Sequence, residues 1–557
     1  MPDIDSLRVA VEGPTLSRRP DPQALLRRKR PSPVLSDLAK FLRYSTALPG
    51  FLRRSVSRQE AKSRLREALA CRDSRFLRIV ERAVFANPGS PYLELLRWAG
   101  IGFADLEGLV RQEGLEPALS RLHDDGVFLS IDELKGRRPI ERPGLHVPTS
   151  PSSFDNPLLT QHWEAKSSGS TGARTRANID LALIEHEAAY VSLYLDAFDL
   201  WQRPYGTWRP VPPAVAAVKW MLRLEHLGKP LDRWFAHDRH RLGNGEWKYA
   251  LFTATTLAGG RLFGRRLPAP RHVPADAPAP IVDWLAEARR AGAPAVLDTM
   301  VSSAVRVCGE ARERGIDISG TLFRVGGEPL TPAKIGLIEE IGCRVLTFYS
   351  STETSFLGAP CADSDAADDV HLLTDKIAVI TRPKTLGEQV VDGLVFTTLL
   401  PSAPKLMINV EYGDCGELDE RSCRCPLGEL GFRRHLRSIR SYDKLTSEGV
   451  SFLGTELLRL LDEVLPRRFG GAPIDWQLVE EEVAGRTRVA VVASPEIGEL
   501  DEATVKEAIL DELRAYPGGD SMTRTWRQGD TLRLVRRRPY RTESSKILPL
   551  VRQRGDG

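Results

Sequence analysis

Long apolar runs are missing from this sequence. No stretch of its 557 residues approaches the roughly 18 needed to cross a bilayer as a helix, so no membrane span is expected. The opening MPDIDSLRVAVEG also lacks the uninterrupted apolar core of a secretory leader. Cysteine is scarce. Seven in the whole chain do not make a disulfide scaffold, and a reducing cytoplasm is the expected compartment. Several catalytic signatures are absent as well. There is no G-x-x-x-x-G-K-[ST] phosphate loop, no G-x-S-x-G esterase elbow and no H-E-x-x-H zinc-protease pair. Glu185-His186-Glu187 resembles the last only superficially, and His186 reads as a structural helix residue. No internal repeat is present. The 42% hydrophobic and 27% charged content excludes fibrous and wholly disordered classes and leaves ample apolar surface for a large core.

Charge is balanced overall, at +4, but unevenly spread. Residues 1–76 hold 17 Lys/Arg against 8 Asp/Glu, so the rest of the chain is net acidic. Arg27-Arg28-Lys29-Arg30 precedes LSDLAKFLRYSTALPGFLRRSV, which reads as an amphipathic helix broken near Pro49-Gly50. This basic extension, residues 1–80, is either a helical face packed on the main body or a contact for a partner. An acidic protein, a membrane surface and nucleic acid all suit its charge. Nucleic acid is not expected, because no recognisable nucleic-acid-binding motif accompanies the charge.

From Arg75 onward helical patterns begin, in FLRIVERAVF and YLELLRWAGI, and the Pro/Ser-rich segment 137–162 reads as loop. Helices then alternate with β-branched runs: a helix near 178–197, AVLDTMV, TLFRVGG, a helix PAKIGLIEEIG, and RVLTFYS. Strand patterns continue through KIAVITRP, GLVFTTLL and KLMINVEYG. This alternation argues for a large α/β domain with mixed sheets over residues 81–440. Residues 441–557 mix a helix (GTELLRLLDEVL), strands (WQLVEEE, TRVAVVAS) and a further helix (ATVKEAILDELRAY), and read as a small α+β domain.

The most telling short segment is Ser167-Ser168-Gly169-Ser170-Thr171-Gly172, with Arg174 and Arg176 behind it. Small residues let backbone N–H groups approach phosphate oxygens, and the hydroxyls and guanidinium groups add donors. Taken alone, such a run is equally a flexible linker. Four further segments follow in order: Gly326-Gly327-Glu328-Pro329-Leu330-Thr331, Phe348-Tyr349-Ser350-Ser351-Thr352-Glu353, Tyr412-Gly413-Asp414 and Arg541-Thr542-Glu543-Ser544-Ser545-Lys546. Together the five resemble the adenylate-forming superfamily of acyl-CoA synthetases, luciferases and peptide-synthetase adenylation domains, most closely its phenylacetate–CoA ligase branch. The resemblance covers about residues 85–553.

That resemblance implies a large N-terminal domain with a small mobile lid, using ATP and Mg²⁺ to convert a carboxylic acid to acyl-AMP and then to a thioester, most often with CoA. It implies that Ser168, Gly169, Ser170, Thr171, Gly172 and Arg174 hold the β- and γ-phosphates. Thr352 would donate to the α-phosphate, and Glu353 would hold Mg²⁺. Tyr349 would stack on adenine beside Gly326, Gly327 and Glu328, Asp414 would bind the ribose hydroxyls, and Arg440 would be the nucleotide-binding arginine that begins the hinge motif Arg440-Ser441-Tyr442-Asp443. Lys546 would neutralise charge on the reacting carboxylate and α-phosphate. Departures from the family pattern stand at Arg174 and Thr175, at Tyr412 where Thr is usual, and at Tyr442 in the hinge, where Asp443 is a substitute; Gly449 matches the glycine that follows it. The acyl pocket is expected between about 230 and 330, with Trp247, Tyr249, Phe252 and Met300 as apolar lining.

Cys361, His371, Cys423 and Cys425 form a C-x9-H and C-x-C pattern. One reading is a structural Cys₃His zinc site, with Cys415 in reserve; the other is four reduced side chains. Some phenylacetate–CoA ligase relatives look alike in this region. The acid is expected to be aryl or otherwise apolar. Its acceptor could be CoA, a carrier-protein thiol or an amine, and an unusual acid such as nitrite also suits the motifs. The rival of another class is a non-catalytic nucleotide-binding scaffold with a basic interaction arm.

Overall fold

In the computed structural model, described residues run from 33 to 553, apart from 167–175, 238, 240–246, 328–329, 387–388, 442–445, 448–449, 452–457, 484–485, 516–522, 524–525, 528–531, 542–546 and 548. The centre is a six-stranded sheet, ordered Arg344–Thr347, Leu322–Val325, Val296–Thr299, Tyr205–Trp208, Arg233–Ala236 and Pro270–His272. Every pairing in it is parallel. Its inner strands are buried on both faces, as parallel strands require, while the edge strand Pro270–His272 is largely exposed. Alternation sends Trp208, Phe235, Leu297, Phe323 and Val345 into one apolar layer, against the helices Ala279–Arg290, Val301–Glu313 and Pro332–Glu339. Tyr205, Trp234, Val296, Leu322 and Leu346 point into the other layer, against Leu181–Ala197 and Ala216–His226.

A second, eight-stranded sheet carries Tyr349–Ser351, Ser355–Pro360, Val370–Leu372, Arg434–Ser441, Val410–Glu420, Gln389–Thr398 and Ile377–Leu386 in that order, with Leu129–Ser130 added parallel to Val410. The remaining pairs are antiparallel. A four-stranded sheet near the C-terminus, ordered Leu532–Arg536, Arg486–Ala493, Trp476–Val483 and Leu550–Gln553, packs the helix Glu502–Arg514 over its own apolar cluster. The α/β reading with a separate C-terminal α+β sheet therefore describes the architecture.

Three local expectations are corrected. The helix expected to break near Pro49-Gly50 runs unbroken over Pro33–Arg53. Pro49 removes one backbone donor, but Tyr44, Leu48, Phe51 and Leu52 around it are buried in the main core with Trp163 and Tyr190. That packing outweighs the local breaker, and from residue 33 the basic extension is part of the large body. The 137–162 segment, read as loop, contains a hairpin of Ile140–Arg142 and Leu145–Val147 turning at Gly144, whose φ is 77°. The KLMINVEYG strand begins only at Val410, because Asn409 adopts φ 49°. The Asn409 amide nitrogen instead donates to the Leu119 and Val127 carbonyls.

One buried carboxyl group yields a test of this packing. Glu225 on Ala216–His226 is buried, and its Oε1 finds no hydrogen-bond partner among the described residues. Burial pushes its carboxyl up to about 7, with Arg265 pulling weakly the other way. Between the ordinary carboxyl range and this value the folded protein keeps a proton that the unfolded chain releases. Stability attributable to Glu225 is therefore lost as pH rises through that window. Glu225→Gln should raise the thermal midpoint clearly at about pH 8 and much less at about pH 5; an equal shift at both would refute this account.

Candidate active site

Two of the five motifs begin at the C-terminal edge of the parallel sheet, where open α/β sheets bind ligands. Val325 runs into Gly326-Gly327, and the adjacent Thr347 runs into Phe348-Tyr349. A Cβ on Gly326 would lie 2.8 Å from the Phe348 carbonyl oxygen, so only glycine lets the two strand ends approach this closely. Gly327 turns with φ 87°. On the same edge Arg209 donates to the Gly326 carbonyl (3.3 Å) and to Asp298 (2.9 Å). Glu328 lies outside the described residues.

Tyr349 Oη donates to Asp414 Oδ2 at 2.7 Å. Burial and the neighbouring Asp414 charge hold the Tyr349 phenol well above its ordinary value, so it stays a donor. One Asp414 oxygen is thus held by the Tyr349 hydroxyl. Tyr412 Oη reaches Ser351 Oγ at 3.3 Å and also hydrogen-bonds the Glu353 side chain. Ser351 in turn meets Thr354 Oγ1 at 2.7 Å. The unusual tyrosine therefore has a tertiary role: it braces the turn that carries Thr352 and Glu353. Glu353 is buried, and its own carbonyl accepts from Lys405 N at 3.2 Å. Arg440 pairs across the sheet with Cys415, beside Asp414. It lines a small cavity of about 130 Å³ with Thr331, Asp462 and Glu463. Asp462 binds Thr331 Oγ1 (2.6 Å) and Lys334 (3.3 Å), tying the start of the C-terminal region to the large body.

Tyr349, Thr352, Glu353, Asp414, Arg440 and the Gly326-Gly327 turn are thus gathered in one neighbourhood by two sheets. Ser168, Gly169, Ser170, Thr171, Gly172, Arg174 and Thr175 lie outside the described residues; their stem, Trp163–Lys166 paired antiparallel with Arg176–Ile179, is described. Lys546, Tyr442, Asp443 and Gly449 also lie outside them. Beside Lys546, Arg541 and Ile547 form an isolated antiparallel bridge. Both line a cleft of about 920 Å³ against Asp276, Arg306 and Glu310 of the large body. Tyr349, Thr352, Glu353 and Asp414 do not line that cleft.

Below the Thr352-Glu353 turn sits a charge network that sequence reading missed. Glu187 is buried on Leu181–Ala197. It accepts from Lys376 (2.6 Å), Arg223, Ser355 Oγ (3.1 Å) and the Phe356 backbone N–H (3.0 Å). Lys376 also holds the Thr354 carbonyl at 3.0 Å, and Lys219 donates to Ser355 Oγ at 2.7 Å. Burial opposes ionisation of Glu187, but the Lys376, Arg223 and Lys219 charges prevail and hold its carboxyl far below the ordinary range. Burial and the neighbouring Arg223 pull Lys219 down to about 7. The helix also carries Glu185, His186, Ser192 and Asp196, so only the apolar run that follows Glu187 marked it as a buried carboxylate. His186, beside it, bonds Tyr190 and Asp375 at 2.9 Å, in keeping with a structural role.

The expected acyl lining is corrected. Trp247 faces solvent, whereas Phe252 packs on Tyr44 and Trp163 because the Pro33–Arg53 helix covers the inner face of Trp247–Leu262. Tyr249 and Met300 are buried.

The cysteine–histidine pattern closes in space. Cys361 and Cys423 sulfurs are 3.9 Å apart, and Cys423 and Cys425 are 3.4 Å apart. His371 Nε2 lies 3.0 Å from Cys425 and 3.5 Å from Cys423. Tetrahedral zinc with bonds near 2.3 Å to sulfur and 2.0 Å to nitrogen calls for separations of roughly 3.5–3.8 Å, close to these. His371 Nδ1 is fixed by the Phe432 carbonyl at 2.7 Å, which turns Nε2 toward the sulfurs. Hydrogen bonds with Cys361 and His371 hold the Cys425 thiol far below its ordinary value. A Cβ on Gly428 would lie 2.5 Å from Cys423 Sγ, so the cradle needs glycine. Sequence reading missed His435. Its donor atom groups within 4.8 Å of those of Cys361, His371 and Cys423, its Nδ1 meets Asp369 at 3.1 Å, and its buried Nε2 has no hydrogen-bond partner among the described residues. A lone histidine in RRHLRS offers no spacing signal.

The fold is shared with an acid–CoA ligase of known structure. The chain is similar to 2-hydroxyisobutyryl-CoA ligase, in a crystal structure of its postadenylation state in complex with R3-HIB-AMP: TM-score 0.53, 15% identity, covering 89% of this chain and 90% of that one. The same enzyme in complex with 2-HIB-AMP and CoA gives TM-score 0.41 at 18% identity, covering 88% and 90%. ATP-bound MatB from Rhodopseudomonas palustris gives 0.40 at 16%, covering 73% and 68%. No family model and no curated protein matches the sequence. No helix among the described residues is long and apolar enough to cross a membrane.

Glu187→Ala would leave Arg223 and Lys376 as buried cations without their counter-ion. It should cost about 3–5 kcal/mol in denaturant unfolding, and Glu187→Gln, which keeps hydrogen-bonding capacity, should cost less. A loss below about 1 kcal/mol for Glu187→Ala would show that the network is solvated rather than buried.

Proposed function

We propose that the protein is an ATP- and Mg²⁺-dependent ligase that adenylates a carboxylic acid and passes the acyl group to a thiol, with CoA as the acceptor. The observation that carries this reading is the convergence of the Gly326-Gly327 turn, Tyr349, Thr352-Glu353, Asp414 and Arg440 at the C-terminal edge of the parallel sheet, in a fold shared with an acid–CoA ligase. In this reading a carboxylate oxygen attacks the α-phosphorus, the bond to the pyrophosphate oxygen breaks, and acyl-AMP and pyrophosphate result. The thiolate then attacks the acyl carbon and releases AMP.

Bringing an anion to a polyanion needs fixed positive charge and donors in a site that excludes water. Ser168 to Gly172 and Arg174 would cradle the β- and γ-phosphates, Thr352 would donate to the α-phosphate, and Asp414 would take the ribose hydroxyls. Bound Mg²⁺ would neutralise phosphate charge, with Glu353 as its protein ligand. Residues 81–440 would form the catalytic body and 441–557 a mobile lid that brings Lys546 in for adenylation and withdraws it for thioester formation. An ammonium on a long stem suits that shuttling. The closest branch would be the phenylacetate–CoA ligases and the guest an apolar or aryl acid.

ATP–pyrophosphate exchange over aryl, fatty and amino acids and nitrite tests this. One acid class should support exchange, and Lys546→Ala should lower it by about 10²–10³ while ATP binding persists. CoA, carrier proteins and amines then compete as acceptors. ATP binding without exchange for any acid would instead favour a nucleotide-binding scaffold.

The cysteine–histidine cluster we assign to structural Zn²⁺, held by Cys361, His371, Cys423 and Cys425, with His435 as a further donor at its edge. The ion would staple the 423–428 loop to the sheet that carries Tyr349 and Asp414. Purified protein should contain about one zinc per chain. Cys423→Ser should lose it and lower the thermal midpoint, and Cys415→Ser should retain it. Metal-free protein of unchanged stability would remove the assignment.

A further inference from the structure

The Pro33–Arg53 and Trp247–Leu262 helices lie side by side in parallel. Lys248 binds Asp37 at 2.6 Å, Tyr44 bonds Thr256 at 2.7 Å, and Arg265 reaches the Leu52 carbonyl at 3.1 Å. Their inner faces fill the core. Their outer faces are apolar as well. Leu35 (60% exposed), Leu38 (51%) and Leu42 (54%) share one face of the first helix at spacings of three and four, and Trp247 (56%) and Leu251 (42%) share one face of the second at a spacing of four. Leu262, at the far end, is 79% exposed. Six of the eight large apolar side chains exposed among the described residues therefore stand on two adjacent helices. Scattered single leucines need no explanation, but a contiguous patch does.

The charge around this patch has one sign. Apart from Lys40, which is buried and paired with Glu164, the two helices carry Arg43, Arg53, Lys248 and Arg261 against a single carboxylate, Asp37, which Lys248 neutralises. Arg53, Arg54, Arg261 and Arg266 are all exposed at the Leu262 end. None of the six apolar residues lines either cavity described above.

We infer that this face docks the protein on an anionic phospholipid surface, leucines and Trp247 entering the headgroup boundary and the flanking cations binding lipid phosphates. Exposed aliphatic side chains and an indole, flanked by cations and with no spanning helix among the described residues, suit an interfacial rather than an inserted mode. The inference is independent of the adenylation reading.

The test is co-sedimentation of the full chain with phosphatidylglycerol-containing vesicles and with pure phosphatidylcholine vesicles. Binding should be confined to the anionic vesicles and weaken as salt rises. Leu35→Ser/Leu38→Ser/Leu42→Ser should weaken it by about tenfold or more, as should replacing Arg53, Arg54, Arg261 and Arg266 by glutamine, with unchanged circular dichroism. Trp247→Ser provides a separate probe of the second helix. No binding of the wild type to anionic vesicles, or binding indifferent to the leucines, would overturn the inference. So would lipid-free, concentration-dependent dimerisation abolished by the triple variant, which would make a second copy the occupant.

Discussion

The fully buried Glu187 carboxylate is the constraint on which the centre of this molecule rests. It draws Arg223 from one helix and Lys376 from the turn before a strand, and accepts the Phe356 amide and the Ser355 hydroxyl. Those last two groups begin the strand that follows the Thr352-Glu353 turn. A buried charge is tolerated only when its partners are held in place, so every element that supplies one is tied to this point. Ser355 itself adopts φ 68°, an uncommon conformation for a residue with a side chain. Its hydroxyl is held by Glu187, Lys219 and Arg223, which offsets the backbone cost.

From that anchor the candidate active site follows by layers. The parallel sheet sets Gly326 beside Phe348, because their strands are neighbours in register. The second sheet sets Asp414 against Tyr349, although 64 residues of chain separate them. The cysteine–histidine cluster occupies the other end of that sheet, on Val370–Leu372, Arg434–Ser441 and the turn after Val410–Glu420. A tetrahedral ion there would restrain the loop 423–428, which has little apolar surface of its own beyond Leu427 and Cys425.

Some misreadings share one physical cause. Helical periodicity in WKYALFTATTLAGGRL separates two faces but does not say what covers each. Phe252 suited a ligand pocket until the Pro33–Arg53 helix was found against it, and Trp247 proved to face water. Pro49 likewise suited a break until the surrounding leucines and Phe51 were found buried on the main core. In both places tertiary packing overrode a sound local preference.

What the sequence determined by itself was whatever depends on neighbours along the chain: the alternation of parallel strands and helices, the glycines of the 326–327 turn, the Thr352-Glu353 pair and the C-x-C turn. Turn geometry, helix period and strand period act over a few residues, so their chemistry is written locally. Only the tertiary structure decided which distant groups meet. Tyr412 braces Ser351 and Glu353, Cys361 and His371 close on Cys423 and Cys425, and His435 joins them from an unmarked strand. Sheet order and register set those meetings, and both arise from burial summed over the whole core rather than from any one segment.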